Sequence, residues 1–64
     1  MCIAYDINKH LIKSGDKIKN VKTGAVEIVI DIEGELCFIG SKDIYPLEEL
    51  KTEEFKIIKR GVVL

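Results

Sequence analysis

Apolar and polar residues alternate most regularly between Ala25 and Ile32, where Val26, Ile28, Ile30 and Ile32 recur at every second position with Ala25, Glu27, Val29 and Asp31 between them. Successive side chains of a β-strand point to opposite faces, so this period predicts a half-buried antiparallel strand with the Val26-to-Ile32 series as its apolar side. A shorter, more polar strand is predicted over Asp16–Val21, and Lys22-Thr23-Gly24 supplies a glycine for the tight connection between the two. Glu33-Gly34 predicts a turn, because glycine takes the positive φ that tight turns demand, and Leu36–Ile39 is the returning strand. After Gly40-Ser41, a short strand over Asp43–Tyr45 is closed by Pro46, which has no N–H to continue a ladder. Pro46–Leu50 predicts a single helical or 3-10 turn with Leu47 and Leu50 on one side, and Phe55–Lys59 is the last strand before Gly61 and the apolar Val62-Val63-Leu64. At the start, Met1–Tyr5 is expected to form an edge strand, and Asp6 to cap a short helix ending near Ser14-Gly15.

Closely spaced strands joined by glycine turns, each with one apolar side, must bury those sides against one another. Curling the sheet into a small barrel achieves this and removes exposed edges, so the expectation is a mostly β fold: a small five-stranded barrel with a short helical or 3-10 turn before the last strand. The 64 residues leave room for a single domain, residues 1–64, and the 47% apolar content lies far from the composition of disordered chains.

Composition narrows the chemistry. Cys2 and Cys37 allow at most one disulfide and no signal segment precedes them, so reduced thiols and a cytoplasmic location are expected. With His10 they make three candidate metal ligands without the paired-cysteine spacing of a structural zinc site, and no cofactor is expected. The apolar runs are far shorter than the ~20 residues that span a bilayer, and no membrane association is expected. No nucleophile with its base, no phosphate-cradling loop and no carboxylate pair at catalytic spacing is recognisable. Glu48-Glu49 and Glu53-Glu54 read as solvated surface, so the chain is expected to bind rather than to catalyse.

Ser14-Gly15-Asp16-Lys17-Ile18, Thr23-Gly24, the long strand Val26–Ile32 and Leu47-Glu48-Glu49-Leu50 before the last strand occur in the order found in a Src-homology-3-like (SH3-like) barrel. The chain resembles the KOW-type variant of that barrel over Ser14 to Lys59, and is similar to many small bacterial and phage barrel domains. The resemblance implies a small binding module: an adaptor, a mobile-element-encoded regulatory factor, or a nucleic-acid-binding KOW-like domain. One departure is that Val26-Glu27 stands where KOW-type sequences usually carry a glycine. The start Met1-Cys2-Ile3-Ala4 is also similar to that of small hydrogenase-maturation chaperones, in which the cysteine takes part in metallocentre transfer, but Tyr5-Asp6 follows where those proteins have a proline.

Net charge is only −1, yet charge is unevenly distributed: Lys9, Lys13, Lys17, Lys19 and Lys22 cluster early, acids dominate from Glu27 to Glu54, and Lys56, Lys59 and Arg60 make the end basic. Three binding roles follow. A protein partner is expected first, with Tyr45 and Tyr5 as the contact residues because aromatic side chains anchor interfaces, joined by the Val62-Val63-Leu64 end. The alternative is RNA or DNA held by Lys17, Lys19 and Lys22, with Lys9, Lys13, Lys56, Lys59 and Arg60 as neighbours, although few aromatic residues are available for base stacking. A self-associating structural subunit, a homodimer through short edge strands, is the second alternative.

Overall fold

The structure is a computed structural model that describes residues 3–40 and 43–61. Five antiparallel strands form one sheet: β1 (Lys17–Asn20), β2 (Val26–Ile32), β3 (Glu35–Ile39), β4 (Ile44–Pro46) and β5 (Phe55–Lys59), in the order β4-β3-β2-β1-β5. Two 3-10 turns, η1 (Leu47–Glu49) and η2 (Thr52–Glu54), connect β4 to β5. Strand positions agree with the sequence pattern to within a residue or two; η2 has no counterpart in it.

The connections follow from local chemistry. Glu33 (φ 51°) and Gly34 (φ 85°) are the two central residues between the paired Ile32 and Glu35, and Asp31 Oδ1 accepts the Gly34 N–H at 2.7 Å. Positive φ at both positions is the signature of the two-residue hairpin turn whose twist matches that of the strands. Between β1 and β2, Asn20 Oδ1 accepts the N–H groups of Lys22 and Thr23, and its carbonyl accepts that of Gly24.

The expected barrel does not close. β4 and β5 remain the two edges, because β4 is only three residues long and ends at Pro46, after which the chain leaves the ladder through η1 and η2. The expected helix after Asp6 is also absent among the described residues. Instead the chain forms a small hairpin in which Tyr5 bridges Leu11, the Ile12 N–H donates to the Ala4 carbonyl at 2.9 Å, and the Asp6 N–H donates to the His10 carbonyl at 2.9 Å. The carboxylate of Asp6, rather than capping a helix, closes this loop by accepting the N–H groups of Asn8 (2.9 Å) and His10 (2.8 Å). The expected Met1–Tyr5 strand lies partly outside the described residues, as do Cys2, Ser41 and the Val62–Leu64 end.

The hairpin and the 3-10 turns cover one face of the sheet. Ile18, Val29, Phe38 and Phe55 from the strands, Ala4 and Ile12 from the hairpin and Leu47 from η1 form the buried core, with Leu36, Leu50 and Ile57 packed against it. The phase of β2 is therefore opposite to the one the Val26-to-Ile32 series predicts: Val29 is 0% exposed, while Val26 is 44% and Ile32 40% exposed. The reason lies across the ladder. Val29 is paired with Phe38, and β5 contributes Phe55 to the same side, so covering this face removes two aromatic rings from water, where the other face of the paired strands offers aliphatic side chains, a cysteine and lysines but no aromatic ring. Each ring buries on the order of 200 Å², which outweighs the regularity of the isoleucine series.

A single carboxylate fastens the cover. Asp6 is buried, and its Oδ2 accepts the Ile57 N–H at 3.1 Å while the Ile7 N–H donates to the Phe55 carbonyl at 2.7 Å, so the hairpin loop takes up hydrogen-bonding groups of the β5 edge. Burial pushes the Asp6 carboxyl up. The N–H groups of His10, Ile57 and Asn8, together with the His10 ring, outweigh it and hold the group below the ordinary carboxylate value.

Two measurements check this packing. Val29→Ala is expected to lower unfolding free energy by about 2 kcal/mol, and the same change at Val26 by no more than about 0.5 kcal/mol, in denaturant titrations. Asp6→Asn is expected to cost about 2 kcal/mol at neutral pH, because an amide nitrogen then meets backbone donors. Since the folded Asp6 value is depressed, its stabilisation is complete above the ordinary carboxylate value and is lost as pH falls through the folded value. The stability difference between the unaltered chain and the Asp6→Asn variant therefore shrinks toward acid, and a gap that stays constant with pH would contradict the assignment.

Candidate functional site

The expected contact residues fall in separate places. Tyr5 is 51% exposed and lines a groove of about 440 Å³ together with Ile3, Lys9, Leu47, Glu48 and Glu53. Its buried lining residues are Ala4, Leu47 and Asp6, and it carries acidic groups from both 3-10 turns. Lys9 adopts a left-handed φ of 63°, a conformation that costs an L-residue on the order of 1 kcal/mol. The Lys9 N–H donates to the Asp6 carbonyl at 2.9 Å, so the tight loop closed by Asp6 imposes that conformation.

Tyr45 does not line this groove. It is paired with Phe38 across β3 and β4, with ring centroids 5.5 Å apart at an interplanar angle of 29°, and remains 42% exposed at the sheet edge. Beside it, Glu27 projects from the core side of β2: a Cβ built on Gly40 would lie 3.6 Å from Glu27 Oε2 and 3.7 Å from Tyr45 Cε2. Among the described residues Glu27 Oε2 is buried without a hydrogen-bond partner, and burial pushes the carboxyl up. Tyr45 thus stands on the aromatic floor of Phe38 with a desolvated carboxylate at its side.

The lysines named for the alternative role separate into two groups. Lys22, in the β1–β2 connection, pairs with Glu54 at 3.1 Å. Lys17 and Lys19 project from the face of β1 opposite the core residue Ile18, and the register sets Lys17 across from Lys59 and Lys19 across from Lys56 on β5. Lys17, Lys19, Lys56 and Lys59 therefore gather on the outer side of β1 and β5, whereas Lys22 faces an acid. Like charges directly opposite on neighbouring strands repel, so this arrangement destabilises the free domain slightly.

The same outer face continues across the sheet as an apolar surface. Along one row Ile44 pairs with Ile39, Ile39 with Ile28 and Ile28 with Lys17; along the next, Pro46 pairs with Cys37 and Cys37 with Ile30. Cys37 is 8% exposed yet does not belong to the core cluster, and its register partners on this face are Ile30 and Pro46. Burial raises its thiol, and the charges of Glu35 and Asp31 raise it further, so the thiol stays protonated. Ile44, Val26 and Ile32 at the margins are 52%, 44% and 40% exposed.

Reading the chain for one apolar face per strand misses this surface. Its signal is Ile28-Val29-Ile30, an unbroken apolar run that puts hydrophobic side chains on both faces of β2, the pattern of a strand that expects cover on both sides. Compared with known protein families, curated proteins and solved structures, the chain matches none. No helix among the described residues is long and apolar enough to cross a membrane.

The Glu27 carboxyl yields a sign opposite to that of Asp6. Its folded value is raised, so what it contributes to stability is complete below the ordinary carboxylate value and is lost as pH rises through the folded value. Glu27→Gln is expected to raise the denaturation midpoint at neutral pH and to leave it unchanged in acid. Equal midpoints at both pH values would show that Glu27 is solvated or paired.

Proposed function

We propose that this chain is a non-catalytic binding domain whose partner is a protein docked on the outer face of the sheet. The observation that carries this reading is that Ile28, Ile30, Ile39 and Ile44 adjoin on a face to which no other described element is bound, while the opposite face holds the core. An apolar sheet face left open is the usual mark of an interaction surface, and its partly exposed aliphatic side chains gain free energy when covered. The strand order and the 3-10 turn before β5 support a relationship to SH3-like barrels in an opened form, and with it an adaptor or regulatory role.

Nucleic-acid binding is the second reading, favoured by the gathering of Lys17, Lys19, Lys56 and Lys59. Phosphates would satisfy those charges, but the paired strands supply no aromatic side chain to the same face on which a base could stack, Phe38 and Tyr45 belonging to the other side.

Affinity capture from nuclease-treated extract of cells that express the chain separates the readings. A discrete protein retained by the unaltered chain and by Tyr5→Ala, but lost with the double substitution Val26→Asp and Ile44→Asp at an unchanged melting temperature, is the expected result. Capture indifferent to the Val26 and Ile44 changes, or recovery of nucleic acid alone before nuclease treatment, would overturn it.

A further inference from the structure

The outer face is apolar at one side and basic at the other, and that division constrains what can cover it. Reading along the row from β4 to β5, the side chains run Ile44, Ile39, Ile28, Lys17, Lys59, and the neighbouring row runs from Val26 through Lys19 to Lys56. Within the paired strands the acid on this side is Glu35, which stands opposite Ile32 and two strands away from β1. Among the described residues of the paired strands, the four lysines therefore have no carboxylate of their own sheet face beside them.

Resting on the reading that a protein docks on this face, we infer that the docked element is an acidic amphipathic helix: its apolar stripe lies over the isoleucines of β2 and β3, and a flank of Glu or Asp side chains meets Lys17, Lys19, Lys56 and Lys59. Dimensions fit. Strands spaced about 4.8 Å apart make a five-stranded sheet about 19 Å across, and the seven residues of β2 span about 20 Å, the length of a helix of about 13 residues. A helix about 10 Å in diameter covers two strands and sets its flanking positions over the next pair, where the lysines stand.

Other occupants fit less well on the same grounds. A second copy of the chain would bring the identical surface, as two-fold symmetry requires, so the lysines would meet either lysines or isoleucines. A lipid surface favours protruding apolar groups with aromatic residues at the headgroup level. Here Cys37 at the middle of the face is 8% exposed, and Tyr45, the aromatic residue of β4, projects from the opposite face.

The isoleucines make the test direct, because the methyl signals of Ile28, Ile30, Ile39 and Ile44 report the outer face while those of Ile12, Ile18 and Ile57 report the core side. The methyl-labelled chain is titrated with three synthetic helical peptides that share one leucine stripe and carry Glu, Gln or Lys on the flank, and separately with phosphatidylglycerol vesicles and a DNA duplex. Saturable shifts of the outer methyls by the Glu peptide, with affinity about tenfold above the Gln peptide at low salt and a smaller ratio at physiological salt, are expected from several rim charge pairs. In the Lys17→Glu, Lys56→Glu chain the preference should invert toward the Lys peptide while the core methyls stay in place. Equal binding of the Glu and Gln peptides, or no inversion, overturns the acidic partner and leaves a protein-docking face standing. Outer-face shifts produced by vesicles or DNA alone, or the absence of outer-face shifts with every probe, overturn the acidic helix and count against the protein-docking reading as well.

Discussion

The cover over the core depends on the bond between a buried carboxylate and a strand edge. Asp6 accepts two N–H groups within its own loop and a third from Ile57 of β5, and so fixes the N-terminal hairpin to the sheet. With the hairpin in place, Ala4 and Ile12 are delivered over Ile18, Val29 and Phe55, and the core is closed from that side. A charged acceptor serves better than a neutral one here, because hydrogen bonds to a carboxylate are roughly twice as strong and offset the cost of burying it. The protonation behaviour of Asp6, held low despite burial, is the electrostatic counterpart of that arrangement.

The same contact manages an edge. An open sheet leaves rows of unpaired N–H and C=O groups on its outer strands, which invite pairing with other chains. On β5 the Ile7 N–H and the Asp6 carboxylate occupy such groups, while β4 is short and stops at Pro46. The molecule therefore manages without barrel closure: one edge is covered by its own N-terminal segment and the other is blunted by proline.

Using the hairpin and both 3-10 turns on one side has a consequence for the other. A chain of 64 residues supplies no further element over the outer face among its described residues, although β2, β3 and β4 present isoleucines there. The repelling lysine pairs of β1 and β5 lie on that same face, so two separate sources of unfavourable free energy, exposed aliphatic surface and like charge without an acidic partner among the described residues, coincide on one surface. Both are relieved by the same kind of contact, which is why the proposed partner is acidic as well as apolar.

Much of this was legible in the sequence by itself. The period-two run over β2, the Glu33-Gly34 turn, the proline that ends β4 and the Leu47–Leu50 turn are local properties, set by backbone sterics and side-chain alternation, and they determined the strands and their order along the chain. Which face of β2 became the core could not be read locally, because Ile28, Val29 and Ile30 are apolar on both sides and the choice was made by Phe38 and Phe55 across the ladder. Lys17, Lys19, Lys56 and Lys59 are far apart in sequence, and only the β1–β5 register gathered them, while the same register-level detail set Lys22 against Glu54 instead. Asp6 looked like a helix cap because its chemistry as an acceptor is the same in either setting; tertiary structure alone decided that one of its donors would be an edge N–H some fifty residues away, since hydrogen-bond acceptors are chosen by proximity in space.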